Sequence, residues 1–288
     1  MSQERFAEAV RLEEAGQKER ALEIWREIAE TNPTRNAFLR IGDVCKDLGL
    51  IDEAEAAFKR ALEIDPRSTL ALKCLGILTI NRGEYEAAVG YLKRAREIEE
   101  DASGLSLLGV ACRNFGRAVE AEEAHRRAIY LDPKWDEAYF NLGVVFRDER
   151  PAEAEALFRT ALELHPDFAS AHRELGFVLA KSGQREEGES HLRKAIELEP
   201  NDPWARIYLG SHLWTGDIDA AVAEFRTAAE LKPKWAIPLW SLGRIYASES
   251  RDLGLAQSYF EQALILDPED EEARKGLDRV LKKRGNAD

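Results

Sequence analysis

Seven glycines, Gly42, Gly76, Gly109, Gly143, Gly176, Gly210 and Gly243, follow one another at intervals of 34, 33, 34, 33, 34 and 33 residues. A chain with this beat is one supersecondary unit repeated, each copy too small to bury its own apolar face and therefore stacked on its neighbours. Prolines keep the same beat at Pro33, Pro66, Pro133, Pro166, Pro200, Pro233 and Pro268, with Glu100 where one is missing. Six of them close a hexapeptide of one shape, from "ALEIDP" at 61–66 to "ALILDP" at 263–268. Each copy reads as the last turn of a helix that its proline cannot continue.

The residues around each glycine define two amphipathic helices per unit. A large aliphatic residue stands directly before it (Ile41, Leu75, Leu108, Leu142, Leu175, Leu209, Leu242), and three residues after it stand Cys45, Thr79, Cys112, Phe146, Leu179, Leu213 and Tyr246. That is helical spacing. Twelve residues before the closing position stands a small residue (Ala21, Ala54, Ala88, Ala121, Ala154, Gly188, Ala221, Ala256), and four after it a large one (Trp25, Phe58, Leu92, His125, Phe158, Leu192, Phe225, Phe260). Three residues further on, every unit but the first has Ala again: Ala61, Ala95, Ala128, Ala161, Ala195, Ala228, Ala263. Small, large, small at i, i+4, i+7 lies on one helical face. A glycine inside a helix costs about 1 kcal/mol relative to Ala. Its recurrence is explained if the large residue of the second helix sits over it.

Composition removes several function classes. The net charge of -13 argues against a nucleic-acid-coating protein, whose affinity rests on Lys and Arg neutralising phosphates. The charged start "MSQERFAEAVRLEEAGQ" has no apolar h-region and no window nears a membrane span, so a cytoplasmic location without membrane contact is expected. Cys45, Cys74 and Cys112 are odd in number, form no CxxC pair and sit among apolar neighbours, as small hydrophobes do. Phosphate-loop, dinucleotide, HExxH and GxSxG motifs are all missing, so no catalytic residue, metal or cofactor is expected. His125, His165, His172, His191 and His212 occur in no metal-ligand spacing; His125 and His172 stand at core positions. The acidic runs "EIEED" and "DPEDEEAR" read as solvated helix ends, and Trp135 and Trp235 as wedges between hairpins.

These residues resemble the tetratricopeptide repeat, with its period of about 34 residues and its L-G, Y, A, F, P signature, in a tandem array of the bacterial type. "FLRIGDVCKDLGLIDEAEAAFKRALEIDP" (38–66) matches almost throughout, and "YFNLGVVFRDERPAEAEALFRTALELHP" (139–166) lacks one residue in its inter-helix turn. The resemblance implies an all-α, right-handed superhelical solenoid of about eight helix-turn-helix hairpins. The expected units are about 2–34, 35–68, 69–101, 102–135, 136–168, 169–201, 202–235 and 236–268, one tandem domain over 1–268. Hairpin 202–235 has lost one residue in its first helix, and the last has gained one. Residues 269–288 read as a capping helix and tail, with Ala273, Leu277, Val280 and Leu281 as one apolar stripe.

Function in such a fold is expected on the concave wall, which the resemblance assigns to the first helices. The stripe left over by the core comprises Lys73, Ile77, Asn81, Val110, Arg113, Asn114, Phe140, Val144, Arg147, Arg173, Phe177, Lys181, Trp214, Trp240 and Arg244. Cations alternating with apolar residues suit a protein or peptide partner that carries acidic and apolar side chains. The expected function is therefore an interaction scaffold or adaptor. The competing reading is a regulatory or inhibitory subunit that clamps a separate enzyme or toxin in a larger, stable complex. Two family subtypes find no support: the Lys, Asn and Arg of a carboxylate clamp are not in register, and of an asparagine ladder only Asn141 is present.

Overall fold

The computed structural model describes residues 2–248 and 252–285, and among them 17 helices and no strand. Two compact units divide them, residues 1–145 and 146–288. The first holds α1 (Ser2–Glu14), α2 (Lys18–Thr31), α3 (Arg35–Asp47), α4 (Ile51–Ile64), α5 (Thr69–Asn81), α6 (Tyr85–Ile98), α7 (Ala102–Asn114) and α8 (Ala118–Leu131), with α9 (Asp136–Phe146) at its end. The second holds α10 (Pro151–Leu164), α11 (Ala169–Lys181), α12 (Arg185–Leu198), α13 (Pro203–Leu213), α14 (Ile218–Leu231), α15 (Ala236–Ala247), α16 (Leu253–Leu266) and α17 (Glu271–Gly285). Hairpins pair α1 with α2, α3 with α4, α5 with α6 and α7 with α8 in the first unit, and α11 with α12, α13 with α14 and α15 with α16 in the second, while α2, α4, α6, α10, α12, α14 and α16 each pack on the next helix of their unit.

Local chemistry sets the ends. First helices begin on side chains that accept from orphan amides: Thr34 from Ala37 N (3.2 Å), Ser68 from Ala71 N (3.4 Å), Asp101 from Gly104 N (2.9 Å) and Asp202 from Trp204 N (2.8 Å). Helices α1, α3, α5, α7 and α11 end in a left-handed glycine, for example Gly49 at φ 75°. Leu50 N then bonds Cys45 O (2.8 Å) and Gly49 N bonds Lys46 O (3.1 Å), a Schellman closure. The two hairpins that lack a residue replace this turn. Their first helices stop at Phe146 and Leu213, and Arg150 N (2.7 Å) and Asp217 N (2.8 Å) bond back to those two carbonyls. The extra residue expected in the last hairpin falls on 249–251, outside the described residues.

The core follows the small-large-small code. Trp25, Phe58, Leu92, His125, Phe158, Leu192, Phe225 and Phe260 are buried, as are the small residues on either side of them. A Cβ on Gly42 would lie 2.5 Å from the Phe58 ring, and one on Gly76 2.7 Å from Leu92. The glycine therefore removes the one atom that would hold the helices apart, and each buried large side chain contributes about 1.5–3 kcal/mol. Among the residues three after the glycine, Tyr246 departs from expectation: it is half-buried, stacked on Tyr259 at 5.7 Å.

The capping helix α17 imitates a first helix, since a Cβ on Gly276 would collide with Phe260. Ala273 and Val280 are buried and Leu277 half-buried, but Leu281 is 46% exposed and leaves the expected stripe. Helix α17 has no following second helix among the described residues, and nothing there covers position 281.

All three thiols are buried, and burial raises each pKa, that of Cys74 to about 11. A thiolate-specific disulfide reagent at pH 8 is expected to titrate none of them in the native chain and all three in urea. Rapid native labelling of any one would show that its hairpin opens locally.

Candidate functional site

The first-helix residues are best understood through the pairs that stacking creates. In the first unit Lys73, three before its glycine, donates to Asp101 (3.2 Å), which also caps α7. Of the other first-helix residues of this unit, Ile77, Val110, Arg113, Phe140 and Val144 are half-buried and Asn81 and Asn114 exposed. Asn141 Nδ2 bonds Ser106 Oγ (3.3 Å) and helps to bury that serine.

In the second unit Arg173 occupies the position of Lys73 and does the same, donating to Asp202 (2.6 Å) while Asp202 caps α13. Arg173 and Lys73 are thus straps to the next hairpin. Arg147, four after its glycine position, donates to Glu174 (3.0 Å), two before the next glycine. Glu174 is 4% exposed and also accepts from Arg173 (3.0 Å). The first unit uses the same two positions with the signs exchanged: Glu13 accepts from Arg40 at 3.5 Å. Burial works against the charge of Arg147, but its hydrogen bonds to Glu174 and Asp148 outweigh it and hold the guanidinium pKa above the ordinary arginine value. For Arg173, burial is likewise outweighed by Glu174 and Asp202. Of the four arginines expected to meet a partner, Arg147 and Arg173 are committed to carboxylates of their own unit.

What this network carries is an aromatic surface. Phe177 lies under the guanidinium of Arg147 (5.3 Å) and the ammonium of Lys181 (5.0 Å). Its ring meets Tyr208 at 4.5 Å, Tyr208 meets Trp204 at 5.8 Å, and Trp204 meets Trp235 edge-on at 4.6 Å. The run crosses α11, α13 and the start of α15. Trp235 is half-buried against the Phe225 core, a wedge as expected, whereas Trp204 is 39% exposed. Trp135 is a wedge too, against Leu105 and Ala128. Further along, Arg244 lies between Trp214 (4.8 Å) and Trp240 (5.5 Å). Trp214 and Arg244 stand at the positions of Arg147 and Phe177, with ring and cation exchanged.

Sequence reasoning passed over Trp204, Tyr208, Glu174 and Asp202. A signal existed for the straps: Asp101 and Asp202 follow Lys73 and Arg173 by 28 and 29 residues. His172 and His191 also meet unannounced, Nδ1 to Nδ1 at 2.8 Å, with the second nitrogen of His172 on Pro166 O (2.9 Å). Among the described residues no group of three or more His, Cys, Asp or Glu side chains is placed to hold a metal ion, and no helix is long and apolar enough to cross a membrane.

Family profiles for the tetratricopeptide repeat match residues 36–68 and 238–270 in one form, and 75–134 and 144–203 in another. The chain belongs to the tetratricopeptide repeat family. Solved tetratricopeptide-type structures repeat the all-α fold: the APC/C hetero-tetramer Cut9-Hcn1 (TM-score 0.75, 17% identity, 96% of this chain and 55% of that one) is similar. So is a tetratricopeptide repeat protein from Parabacteroides merdae (TM-score 0.68, 17% identity, 86% and 98%). Among curated proteins, the human protein O-mannosyl-transferase TMTC1 is 29% identical over 75% of this chain and 25% of its own length. The Arabidopsis thaliana CTR9 homolog is 24% identical over 92% and 22%. The chain therefore spans about a quarter of these curated relatives, in a family whose general role is to bind other proteins.

Proposed function

We propose that this tetratricopeptide repeat chain is a cytoplasmic, non-enzymatic scaffold or adaptor, one tandem array over 1–268 with a C-terminal cap. It holds a protein or peptide partner on the first-helix face of its second unit. The observation that carries this is the run Phe177, Tyr208, Trp204, Trp235, in which Trp204 remains 39% exposed. Tryptophan and tyrosine with adjacent arginine are the residue types that dominate binding energy at protein interfaces. The buried network beneath holds the rings in place before a partner arrives, which lowers the ordering cost of binding. The partner presents apolar side chains to the rings and acidic ones to Lys181 and Arg244, since Arg147 and Arg173 already have counter-charges. Three buried, unpaired thiols suit a reducing compartment.

The test is affinity capture from host lysate with wild type, Trp204→Ser, and Tyr130→Ser on the second-helix side, where Tyr130 is 73% exposed. Partner recovery is expected to fall about tenfold or more for Trp204→Ser and to hold for Tyr130→Ser, with helical circular dichroism unchanged. Equal recovery by all three proteins would remove the aromatic run from the interface. Gel filtration of the captured complex separates the adaptor from a stably clamped subunit.

A further inference from the structure

The second unit contains a cavity whose charge no described carboxylate balances. It measures about 250 Å³ and lies where three first helices end: Trp214 follows α13, Arg244 and Ala247 lie on α15, and Arg279 and Lys283 on α17, with the buried Phe260 as its floor. Among the described residues that line it three are cations and none is a carboxylate, in a chain of net charge -13. The contrast with Arg147 is informative, because the ring-cation pairing is the same at both places. There Glu174 and Asp148 neutralise the cation; here Arg244, Arg279 and Lys283 form ion pairs with none of the described carboxylates, and Lys283 donates to the Ala247 carbonyl (3.3 Å). The helix dipoles favour Arg244 in the last turn of α15 and Lys283 in the last turn of α17. They do not account for Arg279, which lies before the last turn of α17, nor for the convergence of all three cations on one cavity.

We propose that this cavity binds the carboxylate side chains of an acidic peptide segment, between Arg244, Arg279 and Lys283, with a neighbouring aliphatic side chain on Trp214 and Phe260. This rests on the scaffold reading and gives the partner's chemistry at one end of its face. Arginine forks favour carboxylates, and Trp214 and Trp240 fix the plane of the Arg244 fork before binding. Net repulsion from the acidic chain makes an isolated cationic cavity selective for where an acidic segment can land.

The test uses the full chain and a fluorescein-labelled hexapeptide, acetyl-EDLLDE, followed by fluorescence anisotropy at low salt. Binding is expected for wild type and about tenfold weaker for Arg244→Glu/Arg279→Glu. It should be retained by Arg126→Glu/Arg193→Glu, which alters net charge equally at exposed surface pairs. The amide peptide acetyl-QNLLNQ, which needs no change to the protein, should not bind. The proposal is overturned if wild type does not bind, if both charge variants bind alike, or if the amide peptide binds as well. It is also overturned if inorganic phosphate displaces the peptide at equal concentration, marking a general anion site, or if the cavity variant instead abolishes self-association, marking a second copy as occupant. Should Trp204→Ser lose its lysate partner while both charge variants bind the hexapeptide alike, this proposal falls and the scaffold reading stands.

Discussion

Gly176→Ala is expected to destabilise the second unit by about 2 kcal/mol, although the same change in an exposed helix is favourable. Its Cβ would lie 2.7 Å from Leu192 Cγ, 2.8 Å from the Gly188 carbonyl oxygen and 3.0 Å from Leu192 N. Two of these are backbone atoms and cannot rotate away, so α11 and α12 must separate. Overpacking of that kind costs about 3 kcal/mol, against about 1 kcal/mol gained in helix propensity. This hairpin is the demanding case because its second helix also carries glycine where the others have alanine. A Cβ on Gly188 would lie 2.9 Å from Ala180 N. Gly90 supplies the control: it sits inside α6, exposed, with nothing within 4 Å of an added Cβ. Gly90→Ala should therefore stabilise by about 1 kcal/mol. Urea unfolding followed by circular dichroism measures both; a neutral or stabilising Gly176→Ala would mean the hairpin yields at no cost.

The contrast between these two glycines also marks what the sequence made legible. Gly176 keeps the 33- and 34-residue beat and Gly90 does not, so their roles could be told apart before any coordinates. The same holds for the core, because a buried position is fixed by its own helix and recurs with the period. The first-helix face is different in kind. Whether Arg147 is a free fork or a buried partner of Glu174 depends on which residue of the next hairpin stacking brings beneath it. The repeat period says that positions +4, +1 and -2 exist in each unit, but not that they touch. Once that contact is known, Glu13 with Arg40, Arg147 with Glu174 and Phe177, and Trp214 with Arg244 become variants of one juxtaposition. The aromatic run was hidden for a second reason. Trp204 stands four residues after Pro200, whereas Trp135 and Trp235 stand two after their prolines, so it occupies no recurring position that would have singled it out.

The position where sequence logic and chemistry disagree most is His125, and it makes the first unit acid-sensitive. His125 takes the place that Phe or Leu holds in most other hairpins: it is 0% exposed, lies against Gly109, and neither ring nitrogen has a hydrogen-bond partner. Burial, with a smaller contribution from the Arg113 charge on the facing helix, lowers its pKa to about 4 from 6.5. The unfolded chain therefore binds a proton between these values that the folded chain refuses, and stability rises with pH across that window. The contribution is fully present above about pH 6.5 and shrinks as pH falls, by about 1.4 kcal/mol per unit, to a total of about 3 kcal/mol near pH 4. His191, whose pKa burial and His172 also lower, acts in the same direction from the second unit. Paired carboxylates such as Glu55 and Glu120, held low by Lys59 and Lys93, lose their contribution only at lower pH. His125→Leu copies the residue at positions 92 and 192 and isolates the first term. It should stabilise the chain at pH 8 by about 1–3 kcal/mol, because two unsatisfied nitrogens leave the core. Between pH 6.5 and 4.5 it should remove close to one proton from the pH dependence of the urea midpoint. Parallel curves for the two proteins across that range would mean that water reaches the imidazole and that α7 and α8 are not sealed around it.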